Sequence, residues 1–247
     1  MVIPPGHPAS GHPAAPYASV APRHAGVPAP VLYSPGTLFS WAELQAMASD
    51  GVLTRLSQRG YLPPGTAATA QLRARAAAGM VPQAIRQRVV AGRMTAAWIY
   101  GCAPEPDRLA LLVDASRRIS SLRATRGCSF HEVRLGPFDV VSLGGLLVSS
   151  PLRTAADIAL HVERERAVPA LQALLAAPEL DVRLRLLVRA VEASPRVPYK
   201  KSALGTLAIL QAAQARGSQV AARGPGPAPD GLRSGGPAPG GPAPGGT

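Results

Sequence analysis

The sequence predicts an α+β protein: a partial winged helix-turn-helix, then a small, mostly antiparallel sheet packed with helices, between Pro/Gly-rich tails expected to be disordered. Three observations predict it. Apolar residues follow a helical period in some blocks and strand-like runs in others, and the two kinds of block are segregated rather than alternating. A Gly-Gly step at 144–145 separates two short apolar runs, the mark of a hairpin. The two ends carry no apolar period at all.

The ends set the boundaries. Residues 1–36 contain nine Pro, four Gly, one Arg and no acid, and residues 217–247 contain seven Pro and ten Gly. Such segments bury too little apolar surface to offset the entropy of ordering them. The expected organisation is a Pro-rich tail over 1–36, a partial winged helix over 37–66, an α/β region over 67–216 and a Gly/Pro-rich tail over 217–247.

Within the middle, "SWAELQAMASDG" (40–51) predicts a short helix with Ser40 as N-cap and Glu43 as its capping-box partner. "VLTRLSQRGYLP" (52–63) predicts two short strands around "SQR", with Gly60 at a tight hairpin position. Helices are expected over 69–80, 82–93 and from 94 to Gly101. Strands are expected over 108–116 and 128–136, and on either side of the Gly-Gly turn in 138–150. Helices follow from Pro151, over 167–178, over 182–194 and over 202–216.

Charge concentrates in the middle, which holds 23 of the 26 Lys and Arg and 13 of the 14 acids, a net +10. That balance fits an acidic partner, nucleic acid first. It also fits GC-rich coding, which accounts for Arg over Lys but not for the shortage of acids. Cys102 and Cys128 do not make a disulfide framework. The N-terminus has no secretory pattern, and the longest apolar run, 140–148, is too short to span a bilayer. The expected setting is the cytoplasm.

No catalytic pattern emerges. The only lysines, Lys200 and Lys201, do not form the E-x-K spacing of a metal-dependent nuclease, and His7, His12, His24, His131 and His161 do not cluster with Cys as ligands. P-loop, dinucleotide and nucleophile-elbow motifs are missing from the sequence. No enzyme, metal or cofactor is expected.

The basic residues are the remaining candidates. Arg55 and Arg59 fall on the predicted hairpin with Tyr61. Arg86, Arg88 and Arg93 form a second set, after Arg73 and Arg75. Arg117, Arg118, Arg123 and Arg126 form a third, in a loop. Phosphate contact needs such residues on one face, and a solvated helix face is the alternative. Trp98 and Tyr100 flank an apolar helix and are expected in the core.

"SSPLRTAADIALH" (149–161) is a helix start: Ser150 can cap it and Pro151 suits its first position. Leu152, Ala155, Ala156, Ala159 and Leu160 form a face expected to pack on the preceding sheet. Arg153 and Asp157 are an i,i+4 pair, worth a few tenths of a kcal/mol if exposed. The pair reads as an architectural tie rather than a catalytic dyad.

The run from 94 to 161 resembles the C-terminal region of AbiEi-family antitoxins of type IV toxin–antitoxin systems. The marks are "TAAWIYG" (95–101), "FDVV" and "LGG" (138–145) and "SPLRTAADIA" (150–159). The resemblance implies a winged helix that binds operator DNA and represses its own operon, and a C-terminal region that counters a nucleotidyltransferase toxin. It places residues 42–64 as recognition helix and wing, with Arg55, Arg59 and Tyr61 on the wing. Pro recurs through the segment where two supporting helices belong, so the winged helix is truncated. A protein-interaction module that has lost operator binding is the alternative.

Overall fold

Local capping decides where the first helix begins. In the computed structural model, which describes residues 31–117, 125–195 and 198–222, with side chains as far as 216, α1 spans Trp41–Ser49. The Glu43 amide donates to Ser40 Oγ (3.3 Å), and the Ser40 amide donates to a Glu43 carboxylate oxygen (2.7 Å). Two of the unpaired amides at the helix start, those of Ser40 and Glu43, are thereby satisfied. An antiparallel hairpin of β1 (Thr54–Ser57) and β2 (Gly60–Leu62) follows. Tyr33 bridges to Tyr61 by two backbone hydrogen bonds, adding a third extended segment. Leu44, Leu53 and Tyr61 form a small core that joins helix to hairpin.

Helix α2 (Ala70–Met80), capped by Thr69, lies across β1 and across the two strands β6 (Val140–Leu143) and β7 (Leu146–Ser149). Its buried face is almost all alanine, which lets backbones approach closely. Gly60 is favoured by close packing rather than by a left-handed backbone: a Cβ there would lie 2.8 Å from Ser57 Oγ within the hairpin and 3.2 Å from Ala76 Cβ on α2.

The helix expected over 82–93 is not continuous. It stops after one turn, α3 (Gln83–Arg86), and Val90–Ala91 enters the sheet as β3. Buried β-branched residues in a short apolar run suit a central strand, and such a run carries no period to separate strand from helix. Helix α4 (Arg93–Ile99), β4 (Leu109–Asp114) and β5 (Cys128–Val133) come next. The five-stranded order is β5-β4-β3-β7-β6. The β5–β4 and β3–β7 pairs are parallel, and β4–β3 and β7–β6 are antiparallel. The sheet is therefore mixed, not mostly antiparallel, because β3 intervenes between β4 and the hairpin. The class remains α+β.

Helices α5 (Pro151–His161), α6 (Arg164–Ala176), α7 (Leu184–Ala193) and α8 (Lys200–Ala222) complete the described chain. The apolar face of α5 packs on α4, α6 and α7, not on the sheet as expected. Two cores result. One joins α2, α4 and the sheet through Ala77, Val89, Ile99, Leu111 and Val148. The other joins α4 to the later helices through Ala97, Ile158, Leu171, Leu187 and Leu207. Helix α4 belongs to both, and every residue from Met94 to Ile99 is buried. Trp98 is among them, as the sequence predicts.

A compact unit ends at Gln211, and a second begins at Ala212 within α8. That helix continues six residues past the expected boundary at 216. Residues 1–30 and 223–247, most of both tails, lie outside the described residues. Among the described residues no helix is long and apolar enough to cross a membrane.

The Gly-Gly turn carries a sharp test. Gly144 has φ +54°, and a Cβ there would overlap the Gln71 carbonyl and lie 2.7 Å from the Arg75 amide nitrogen. Gly145 has φ +80° but open space around it. We expect Gly144→Ala to lower stability by about 2–4 kcal/mol and Gly145→Ala by about 1 kcal/mol, measured by urea unfolding. Equal losses would contradict the docking of this turn on α2.

Candidate functional site

The start of α5 organises the site. Ser149, the last residue of β7, is fully buried. Its carbonyl accepts from Tyr100 Oη (2.7 Å) and from Thr154 Oγ1 (3.0 Å). The Ser150 amide donates to the Asp139 carbonyl (2.8 Å). The Ser150 hydroxyl, expected to cap the helix, makes no capping bond. Thr154 instead turns its hydroxyl back to Ser149, so the strand-to-helix corner is held from inside the first turn.

Arg153 then ties the corner to the β5–β6 loop. Its Nε donates to Asp157 Oδ2 (3.0 Å), and its Nη1 donates to Asp139 Oδ2 (2.7 Å) and to the Arg134 carbonyl (2.9 Å). Asp139 Oδ2 also accepts the Gly136 amide (2.8 Å). One guanidinium thus joins two turns of α5 to two points on a loop. Its fork geometry suits that task, where an ammonium would serve as a point charge.

This corner walls a cavity of about 970 Å³, lined by Phe138, Leu152, Arg153, Ala156, Leu160 and Asp157, among others. A smaller cleft of about 300 Å³ is lined by Arg93, Arg108, His131, His161 and Arg166, together with Glu163. Arg93 and His161 line both.

The electrostatics follow from burial. Burial pushes the Asp157 carboxyl up, further than Arg153, His161 and Arg93 pull it down. Burial works against the Arg153 cation, but Asp157 and Asp139 outweigh it and raise its value. His131 and His161 are both held below the ordinary imidazole value, first by burial and then by the Arg93 cation. Burial also pushes the Tyr100 phenol up.

The candidate DNA-binding residues do not come together. Arg55 and Arg59 are exposed on the hairpin. Tyr61 is fully buried and donates its hydroxyl to Gln45 Oε1 (2.7 Å), so it cannot meet a phosphate. The single strand position assigned to it faces the small core rather than solvent. The Gln58 amide at the hairpin tip donates to the Glu105 carboxylate, and Arg55 acts on the same carboxylate. Arg86 folds back onto the Val81 carbonyl (3.1 Å), and Arg88 is exposed. Strand β3 separates both from Arg93, which opens into the cavities rather than onto their face. Arg118 and Arg123 lie outside the described residues.

Sequence reasoning did not select Arg108, Arg166, His131 or His161 as a group. One signal was available: Arg153, Asp157 and His161 recur every four residues, which stacks them along one side of α5. The rest come from separate elements. Cys102 and Cys128 are both free thiols. Among the described residues no group of His, Cys, Asp and Glu could hold a metal ion.

No family model and no curated protein matches this chain. Among solved structures, the crystal structure of the Rv2827c protein from Mycobacterium tuberculosis is similar over 67% of this chain and 64% of its own, at 18% identity and a TM-score of 0.37. The chain therefore spans less than two thirds of that protein's length. A likeness of this degree carries no argument about function.

Two measurements check the site. Arg153→Ala leaves Asp157 buried without its partner, and we expect a loss of about 2–4 kcal/mol. Arg153→Lys should recover only part of it, because the fork is lost. An unchanged melting temperature in Arg153→Ala would remove the clamp from the account.

The second concerns pH. A histidine whose folded value is depressed favours the fold when neutral. That contribution is present above the ordinary value of 6.5 and is lost as pH falls from 6.5 through the folded value. His131 is the less exposed of the two and should carry most of it. Asp157, raised, acts with the opposite sign, its contribution lost as pH rises from 3.8 through its folded value. Stability should fall between pH 7 and pH 5.5, and His131→Asn should flatten that fall. An equal fall in the variant contradicts the assignment.

Proposed function

We propose that this chain is an antitoxin-like, non-enzymatic regulator that acts in the cytoplasm, binds the DNA of its own operon and counters a nucleotidyltransferase toxin, as the AbiEi-type resemblance implies. The observation that carries the DNA part is the placement of Arg55 and Arg59. Both are exposed on a hairpin that directly follows a capped helix, and neither makes an ion pair among the described residues. The core of Leu44, Leu53 and Tyr61 holds helix and hairpin as one body, so the two guanidinium groups can be presented together to a phosphate backbone. Tyr61 supports this presentation from within. The tie between Arg153, Asp157 and Asp139 agrees with an architectural role for "SPLRTAADIA".

A second reading, a protein-interaction module that has lost operator binding, is favoured by two observations. Glu105 offsets part of the charge at Arg55. Leu38, Trp41 and Val52, in and beside α1, are large and exposed, as a protein-contacting surface would be.

The salt dependence of DNA binding separates them. Each phosphate contact adds about one to the slope of log affinity against log salt. With the upstream DNA of its operon, Arg55→Ala/Arg59→Ala should lower that slope by about two, for any DNA sequence. Unchanged affinity and slope would give first place to the interaction module.

A further inference from the structure

The smaller cleft holds more donors than its protein acceptors can use. Arg93, Arg108 and Arg166 line it with His131 and His161, and the only carboxylate in its lining is Glu163. Among the described residues none of the three arginines makes an ion pair. Arg108 commits one amino group to the Cys128 carbonyl (2.7 Å). Arg93 places Nη1 3.4 Å from His131 Nε2, and its Nε is buried without a partner. A guanidinium only donates, so in this contact Nε2 of His131 is the acceptor and Nδ1 carries the ring proton.

A half-buried arginine ordinarily comes with a carboxylate. The acid that acts on Arg93 is Asp157, and the hydrogen bond that its carboxylate accepts comes from Arg153 rather than Arg93. The backbone also commits Arg93 to this place. It has φ +51°, a left-handed conformation that a non-glycine residue adopts only at a cost. Gly92 before it cannot carry a Cβ, which would lie 2.5 Å from Leu112 Cδ1. The turn places Arg93 in the cleft with no ion-pair partner among the described residues.

We propose that this cleft binds a phosphoryl group, free or at the end of a small ester, held by Arg93, Arg108 and Arg166. Three forked donors around one site suit a dianion with three acceptor oxygens; a carboxylate would occupy only one fork. A space of about 300 Å³ accepts a small molecule. The larger cavity, which shares Arg93 and His161 with it, offers Leu152, Ala156 and Leu160 as an apolar wall for the body of an ester. The site is separate from the hairpin arginines and does not depend on the DNA reading.

Calorimetric titration of the full chain tests it with inorganic phosphate, phenyl phosphate and the phosphate-free benzyl alcohol. Both phosphates should bind and the alcohol should not. Tighter binding of phenyl phosphate assigns an ester, and equal affinity assigns the free anion; either supports the site. Arg166→Gln changes an exposed residue, so its melting temperature should stay constant; Arg108→Gln also loses the bond to the Cys128 carbonyl and is compared at a temperature where it is folded; affinity should fall about tenfold in each. Arg88→Gln and Arg55→Ala/Arg59→Ala should leave affinity unchanged. The proposal is overturned if neither phosphate binds at millimolar concentration. It is equally overturned if the folded Arg108→Gln/Arg166→Gln variant binds as the parent does.

Discussion

The burial of α4 on every side from Met94 to Ile99 is the constraint from which the rest of the structure follows. From Met94 to Ile99 the helix is apolar but for Thr95, whose hydroxyl accepts the Ala110 amide, so this stretch has no face to offer water and must be enclosed. Here Ala96, Trp98 and Ile99 belong to the core against α2 and the sheet, while Met94 and Ala97 belong to the core against the later helices. The small residues let neighbours approach closely, and the large ones fill the space between. Full burial of each large side chain contributes about 1.5–3 kcal/mol, so two cores that would each be modest are coupled through one element.

That coupling has a consequence at both ends of α4. At its start, the chain leaves β3 through Gly92 against Leu112 and enters the helix through a left-handed Arg93. The arginine is thereby fixed beside two cavities. At its end, Tyr100 reaches the Ser149 carbonyl and ties the helix to the last residue of β7. The corner from β7 into α5 is then secured by Thr154 and by Arg153, whose bonds to Asp157, Asp139 and the Arg134 carbonyl close the loop over the same region. Packing and polar bonding serve different ends here: the cores fix which elements meet, and the Arg153 clamp fixes the corner that bounds the larger cavity. A buried ion pair is not in itself strong support for stability, but removing one partner from it is costly.

The amino-terminal hairpin obeys a more local logic. Tyr61 supplies the largest buried side chain there, and its hydroxyl is satisfied by Gln45. That burial orients the hairpin relative to α1 and leaves Arg55 and Arg59 outside. The docking of Gln58 on Glu105 ties the hairpin tip to the chain that follows α4. The basic surface is thus narrower than the count of arginines implies, because Arg86 turns back on its own backbone and Arg93 faces the cavities.

Features governed by neighbours three or four residues away were legible in the sequence. The capping box of Ser40 and Glu43, the strands flanking Gly144 and Gly145, the corner at Pro151 and the pairing of Arg153 with Asp157 are all of this kind. Their local pattern is set within one or two turns of chain, although the Gly-Gly turn and the corner are also tied to distant residues such as Gln71 and Tyr100. Features that depend on which strand lies beside which were decided only by tertiary structure. "VVA" at 89–91 has no period of its own, and its place between β4 and β7 turned the sheet from mostly antiparallel to mixed. The face of α5 was correctly apolar, but whether helices or the sheet would cover it depended on where α4 lay. Tyr61 read as a surface residue because nothing local shows that α1 and Tyr33 close over it. The cleft of Arg93, Arg108, His131, His161 and Arg166 was least legible of all. Its residues share no spacing, and only the convergence of α4, β4, β5, α5 and α6 brings their charges around one space.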